Sequence, residues 1–291
     1  MIALVYLSLV GHFLGWSTVL PPKAKSDKLV TFPIGIDRSD DTIRLAWIAR
    51  KGNADLTIVE SPIIDGNAAK TVRAVLDREH IATRDCVLGV RAHEARLDHK
   101  LFRGVKIGSE LDSAARMELR AELGDEIKNF DVRARMTPSG EAMFGAIRKD
   151  RLAEYQRFAK EAGLKITAID NEGFAWKRIV SGVDAVVSTT ETDASLTIFD
   201  SVGVKTFSFA KSDWIEQLKE LILRLRQNLT IDARTFHAVG DLEDQMALGE
   251  FASRTNSTVT PLEAIDPRTG ESVTSPPWLL AFGLATYGLK A

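Results

Sequence analysis

The chain has a single cysteine, Cys86, in 291 residues, so no internal disulfide can form, and this usage suits the cytoplasm. It also lacks an excess of either charge. Lys+Arg total 38 against Asp+Glu 40, a net charge of -2, which leaves no electrostatic footprint for nucleic acid. Trp16, Trp47, Trp176, Trp214 and Trp278 are scattered along the chain, so no array of stacking platforms for a single strand is present. What remains is an ordinary globular composition, 45% hydrophobic and 27% charged, long enough for one large domain or two lobes with their own cores.

Residues 1–20 are mostly apolar, just long enough to cross a bilayer, and are closed by Pro21 and Pro22. Lys23, Lys25 and Lys28 follow and no Lys or Arg precedes, which would leave the rest of the chain in the cytoplasm. A secretory signal would carry its positive charge first and end in small residues, and neither is seen. Ser8, Gly11, His12, Gly15, Ser17 and Thr18 dilute the apolar run. Two readings stay open: a membrane-contacting segment, or an upstream stretch ahead of a domain that begins near Lys28.

Residues 29–36 are apolar and partly β-branched and predict a buried strand. A polar turn at 37–41 leads to a return strand at 42–48, and residues 55–60 predict a third strand. Asn67 is placed to cap a helix through 71–76, and Cys86 opens another strand at 86–90. The next stretch reads as an inserted module. It has a strand at 95–102, a helix capped by Ser109 with Asp112 in the capping-box position, a hairpin over 130–147 and a helix at 150–163 ending on Gly163. The second half repeats the first in outline: a strand at 184–188, a polar turn at 189–193, strands at 195–199 and 203–209, and an amphipathic helix at 212–229. A strand at 235–240, a helix starting at Asp241 and a last helix over 276–288 complete the chain.

A strand–turn–strand opening with Gly35-Ile36-Asp37 is similar to the first phosphate loop of actin-like ATPases. The chain as a whole, over about 29–289, resembles the PilM family of type IV pilus assembly proteins, related to the division protein FtsA. The resemblance rests on Gly35-Ile36-Asp37, the insert after Val90, Ala162-Gly163-Leu164, Ile169-Asp170, Glu172-Gly173-Phe174-Ala175 and Ala281-Phe282-Gly283-Leu284-Ala285. It implies an α/β fold of actin-like type, two RNase H-like subdomains around a nucleotide cleft, with the inserted subdomain in the first lobe. The expected boundaries are 1–27 for the apolar segment and linker, 28–91 for the first RNase H-like subdomain and 92–163 for the insert. Residues 164–183 would complete the first lobe, and 184–291 would form the second with the final helix.

The resemblance also implies ATP and Mg in the cleft and, beside the insert, the cytoplasmic tail of a PilN-like inner-membrane partner. Its positions here are Asp37, Ser39, Asp40 and Thr42 in the first loop, Thr190 and Thr192 in the second, and Gly240 with Asp241 on the adenosine side. The chain departs from the pattern at each. Arg38 and Ser39 replace an apolar residue and Gly, and Asp40 and Asp41 bring like charge to the phosphate position. Ser188, Thr189 and Thr190 replace the Asp and Gly of the second loop, with Glu191 and Asp193 nearby. Asp241 replaces the second adenosine-side Gly. From Phe209 one helix leads directly to the Phe236 strand, so the closing subdomain is expected to be truncated.

The expectation is a pseudo-ATPase platform at the cytoplasmic face of the inner membrane, peripheral or anchored, with no catalytic residue. The alternatives are an ATP- and Mg-dependent switch of the same fold and a scaffold like the L-protein of type II secretion. Among the remaining residues, His93 and His99 would lie about 20 Å apart on an extended strand, too far to share a metal ion. His237 reads as a hydrogen-bonded core residue and Cys86 as inert. Arg224 and Arg226 are candidates for an interface.

Overall fold

A computed structural model describes residues 30–39, 41–51, 53–137, 140–180, 184–190, 192–200, 203–227, 233–240, 242–265, 272–274 and 278–287. In chain order the first elements are β1 (Val30–Thr31), β2 (Ile34–Arg38), β3 (Thr42–Lys51), β4 (Asn53–Pro62), α1 (Ala68–Arg78) and β5 (Asp85–Val90). Then come β6 (Ala95–Lys100), α2 (Ser109–Leu123), β7 (Phe130–Met136), β8 (Ala142–Arg148), α3 (Lys149–Ala162), β9 (Lys165–Asn171) and α4 (Glu172–Ile179). The second half holds β10 (Ala185–Thr189), β11 (Asp193–Phe199), β12 (Val204–Ala210), α5 (Trp214–Gln227), β13 (Thr235–Val239) and α6 (Leu242–Thr255). The chain closes with β14 (Thr258–Pro261), β15 (Glu263–Ile265), β16 (Ser272–Thr274) and α7 (Leu279–Ala285).

These elements form two compact units: Met1–Val90 with Tyr155–Gly182 and Pro261–Ala291, and Arg91–Glu154 with Val183–Thr260. In the first, β1 and β2 both pair with β3 and are one strand interrupted at Phe32 and Pro33, where proline has no N–H to give the ladder. Strand β4 lies antiparallel on the other side of β3, while β5 and then β9 add parallel to β2. In the second unit β12, β11 and β10 are antiparallel, and β13 adds parallel to β10 with β14 beyond it. Both sheets thus carry the same order, an antiparallel meander whose first strand also takes a parallel neighbour. The insert contributes a separate sheet, β6-β8-β7, with α2 packed on it.

Local chemistry explains most of these elements. Asn67 Oδ1 accepts the Lys70 N–H at 2.8 Å and starts α1, whose Val72, Val75 and Leu76 enter the core with Ile34, Ile36 and Leu88. Gly163 at φ +71° ends α3 and turns the chain into β9. The expected capping box on α2 does not form. Gly108 is the N-cap, and Asp112 Oδ1 instead accepts the Ala134 N–H of β7 at 2.7 Å. That amide lies on the free edge of the insert sheet, where an unpaired donor costs more than a cap contributes. Arg226 does not face outward. It donates to the carbonyls of Ala233 and Thr255 and, at 2.9 Å, to Ser257 Oγ, tying the end of α5 to the segments around β13 and α6.

Two assignments of chain to unit differ from the sequence boundaries. The insert interrupts the first half in sequence, yet it groups with the second sheet. The final helix, expected within 184–291, packs on β2, β3, β5 and α4 of the first unit. Sequence distance carries no information about which of two similar sheets a short apolar helix will cover. Between β12 and β13 the described residues form α5 and no further subdomain.

Asp184 supplies a test of how the second sheet is closed. Burial raises its pKa, but bonds from Thr235 Oγ1 and from the N–H groups of Arg234 and Thr235 outweigh this and hold it below the usual carboxylate range. A lowered carboxylate stabilises the fold above its unfolded value of about 3.9, and the contribution is lost as pH falls through the folded value. Asp184→Asn is expected to cost about 1 kcal/mol or less at neutral pH, since the site is partly solvated. The difference from the parent should vanish in urea titrations run below the folded value.

Candidate functional site

The residues where a nucleotide would be held lie in two turns, one in each unit. In the first unit the β2–β3 turn sets Asp37 opposite Arg44. Asp37 is 1% exposed, and Arg44 Nη1 lies 3.7 Å from its Oδ2 while Arg44 Nε donates to Glu60 Oε1 at 2.9 Å. Ser39 N–H and Oγ each lie 3.0 Å from the Thr42 carbonyl, and Oγ lies 3.4 Å from Asp41 Oδ1. Thr42 Oγ1 donates to Asp41 Oδ1 at 3.0 Å. Arg38 lies over the Phe158 ring, 5.8 Å from its centroid. Asp40 falls outside the described residues.

In the second unit the β10–β11 turn is closed in the same manner. The Thr190 N–H donates to the Asp193 carbonyl at 2.8 Å, and the Asp193 N–H donates to Thr190 Oγ1 at 3.1 Å. Thr192 Oγ1 donates to Asp193 Oδ2 at 2.6 Å. Lys211 Nζ donates to the Thr190 carbonyl at 3.0 Å and its N–H to the Thr192 carbonyl at 3.2 Å. The parallel pairing of β10 with β13 brings Gly240 beside this turn. There φ is +143° and a Cβ would stand 1.8 Å from Thr189 Oγ1. Asp241 falls outside the described residues.

The fold brings together Asp37, Ser39 and Thr42 in one turn and Thr190, Thr192 and Gly240 around the other. Their chemistry is directed inward. A carboxylate that holds a hydrated Mg ion must face water, and Asp37 is buried beside a guanidinium whose charge opposes a second cation. The bare backbone that the adenosine side of a nucleotide would approach at Gly240 is covered by the Thr189 hydroxyl. Among the described residues, Asp37 and Gly240 as they stand do not fit a nucleotide with Mg. Arg44 and Lys211 were not singled out in the sequence. Arg44 follows from counting across the hairpin from Asp37, whereas Lys211 depends on the register of β11 with β12.

The other candidates have partners of their own. His93 Nδ1 lies 3.5 Å from Asp193 Oδ2. His99 Nε2 lies 2.8 Å from Asp200 Oδ2 and its Nδ1 3.9 Å from Glu141 Oε2. Lys205 Nζ lies 2.7 Å from Asp98 Oδ1, and this pair with His99–Asp200 holds the insert strand β6 against β12 and the turn before it. Half-buried His237 places Nδ1 3.1 Å from Thr260 Oγ1, and burial lowers its pKa. Burial and then the neighbouring Asp85 push the Cys86 thiol up to about 12, which leaves it without thiolate reactivity. Among the described residues no group of three metal-ligating side chains is present.

Two sheets of the same strand order, each opening on a turn of this kind, are two RNase H-like halves. The chain has the actin-like fold. Solved structures agree with this reading. The actin-like chain superposes on one from a PilM–PilN type IV pilus biogenesis complex with a TM-score of 0.71 at 14% identity, covering 89% of this chain and 99% of that one. It also superposes on the cytoplasmic domain of EpsL, an inner membrane component of the type II secretion system of Vibrio cholerae. There the TM-score is 0.52 at 10% identity, over 88% of this chain and 99% of that one. No family model and no curated protein matches the sequence. Among the described residues no helix is long and apolar enough to cross a membrane, and residues 1–29 lie outside them.

Proposed function

We propose that this actin-like protein is a non-catalytic platform of PilM type in type IV pilus assembly. It would hold the cytoplasmic tail of a PilN-like inner-membrane protein at the cytoplasmic face of that membrane. The likeness to a chain of the PilM–PilN complex over 89% of the sequence is the observation that supports this reading. The inward-directed turns support the second half of the proposal, a nucleotide site that is weak or lost. The EpsL likeness supports a secretion scaffold as the second reading, with a type II partner in place of the pilus one.

Calorimetric titration of ATP with Mg into the full chain is expected to give no saturable heat in protein shown to be folded. Micromolar binding would overturn the lost site and favour the nucleotide switch. In parallel, fluorescence anisotropy of labelled PilN-like tail peptides should show saturable binding. Failure of every such tail at the highest usable concentration, with binding of a type II partner's tail instead, would move the protein to the second reading.

A further inference from the structure

The loop between β6 and α2, residues 100–107, reads Lys-Leu-Phe-Arg-Gly-Val-Lys-Ile. It carries the cations Lys100, Arg103 and Lys106, no carboxylate, and four apolar residues. One of these is an anchor: the Phe102 ring lies 5.8 Å from that of Phe144, inside the insert core. Others project outward. Ile107 is 78% exposed, Leu101 47%, and Met117 on α2 75%. Lys100 Nζ reaches Glu118 Oε1 at 2.6 Å, which ties α2 at Glu118, one residue from Met117, to the base of the loop. The result is a loop anchored at Phe102 in which the exposed Leu101 and Ile107 alternate along the chain with the exposed Arg103 and Lys106.

We propose that this loop is a docking site for an anionic lipid bilayer, with Ile107, Leu101 and Met117 entering the interface and Arg103 and Lys106 meeting lipid phosphates. Charge complementarity selects this occupant, because apolar tips flanked by long cations let the aliphatic groups submerge while the charges stay at headgroup level. A protein partner fits less well. Three protruding side chains fall far short of the ~800 Å² per partner of a stable interface, and lysine is depleted at interface cores. The proposal does not depend on the pilus assignment above and adds a direct membrane contact from the insert.

The test uses the full chain carrying Ile107→Cys, labelled with an environment-sensitive fluorophore. Buried Cys86 stays unlabelled under native conditions. Vesicles with about 30 mol% phosphatidylglycerol should shift the emission to the blue, and high salt should reverse it, while neutral vesicles leave it unchanged. A label at Asp125→Cys, beyond the far end of α2, should stay in water. In sedimentation assays Arg103→Gln and Lys106→Gln should each lower partitioning about fivefold, and Ile107→Asp on the order of tenfold. Sedimentation with a silent probe at 107 would assign membrane binding to another segment and overturn the proposal, as would no sedimentation. A shift without lipid that grows with protein concentration would assign the patch to a second copy, and a shift on adding a partner tail would assign it to a peptide. Either result also overturns it.

Discussion

Gly35→Ala is expected to destabilise the first unit by about 3 kcal/mol or more, although it adds only one methyl group. A Cβ at Gly35 would stand 2.0 Å from the Ala281 carbonyl oxygen and 2.4 Å from the Ala285 nitrogen, both backbone atoms of α7. Backbone cannot swing aside as a side-chain tip can, so the helix must lift from β2. Its far side is held as closely, since a Cβ on Gly283 would meet the Ala175 carbonyl of α4 at 2.7 Å. Lifting α7 exposes Leu279, Leu280, Phe282 and Leu284, all fully buried. The change is read as a lower urea midpoint and as faster hydrogen exchange over 279–286. Gly145→Ala in β8 is the control, with its nearest contact at 3.5 Å and an expected effect within about 1 kcal/mol. Equal losses in the two variants would show that α7 can yield and would refute the argument.

Arg178→Ala is expected to cost about 3 kcal/mol through a different route to the same helix. Arg178 on α4 bonds the Asp170 carboxylate through Nη2 and donates from Nε to the Gly283 carbonyl at 3.0 Å. Its guanidinium also lies 5.7 Å from the Tyr287 ring centroid. Asp170 is buried, so removal of the guanidinium takes a charge-assisted bond from a carboxylate inside the protein. Arg178→Lys should recover only part of the loss, because an ammonium cannot serve carboxylate and carbonyl with one planar fork. In a double-mutant cycle with Asp170→Ala, the second substitution should cost much less than it does alone. Additive costs would show that the pair is not coupled.

Both predictions touch residues on which the sequence resemblance rests: Gly35 in the first, Asp170 and Gly283 in the second. Gly35 belongs to the first loop in sequence and Asp170, Ala175, Ala281, Gly283 and Ala285 carry the resemblance elsewhere, and in the structure they seat the final helix. This explains how the pattern stays legible while the turns at Ser39 and Thr190 depart from it. Close approach of α7 to β2 and α4 requires small residues whether or not a nucleotide is bound. Asp37 matches the pattern of the first loop but faces Arg44 and, through it, Glu60.

The sequence by itself determined most of the elements, though not the short strands β14, β15 and β16, because β-branched runs, turn residues and helical spacing act over neighbours. It also determined the two strand–turn–strand units, the Asn67 cap and the hairpin of the insert. Only the tertiary structure decided where α7 packs, which sheet the insert joins, that Asp112 serves β7 instead of its own helix, and that Arg226 turns inward. It also decided that the two turns close on themselves. Each of these depends on which donor meets which acceptor across long stretches of chain, and on whether a methyl group has room. Composition and periodicity do not carry that information; registers and distances do.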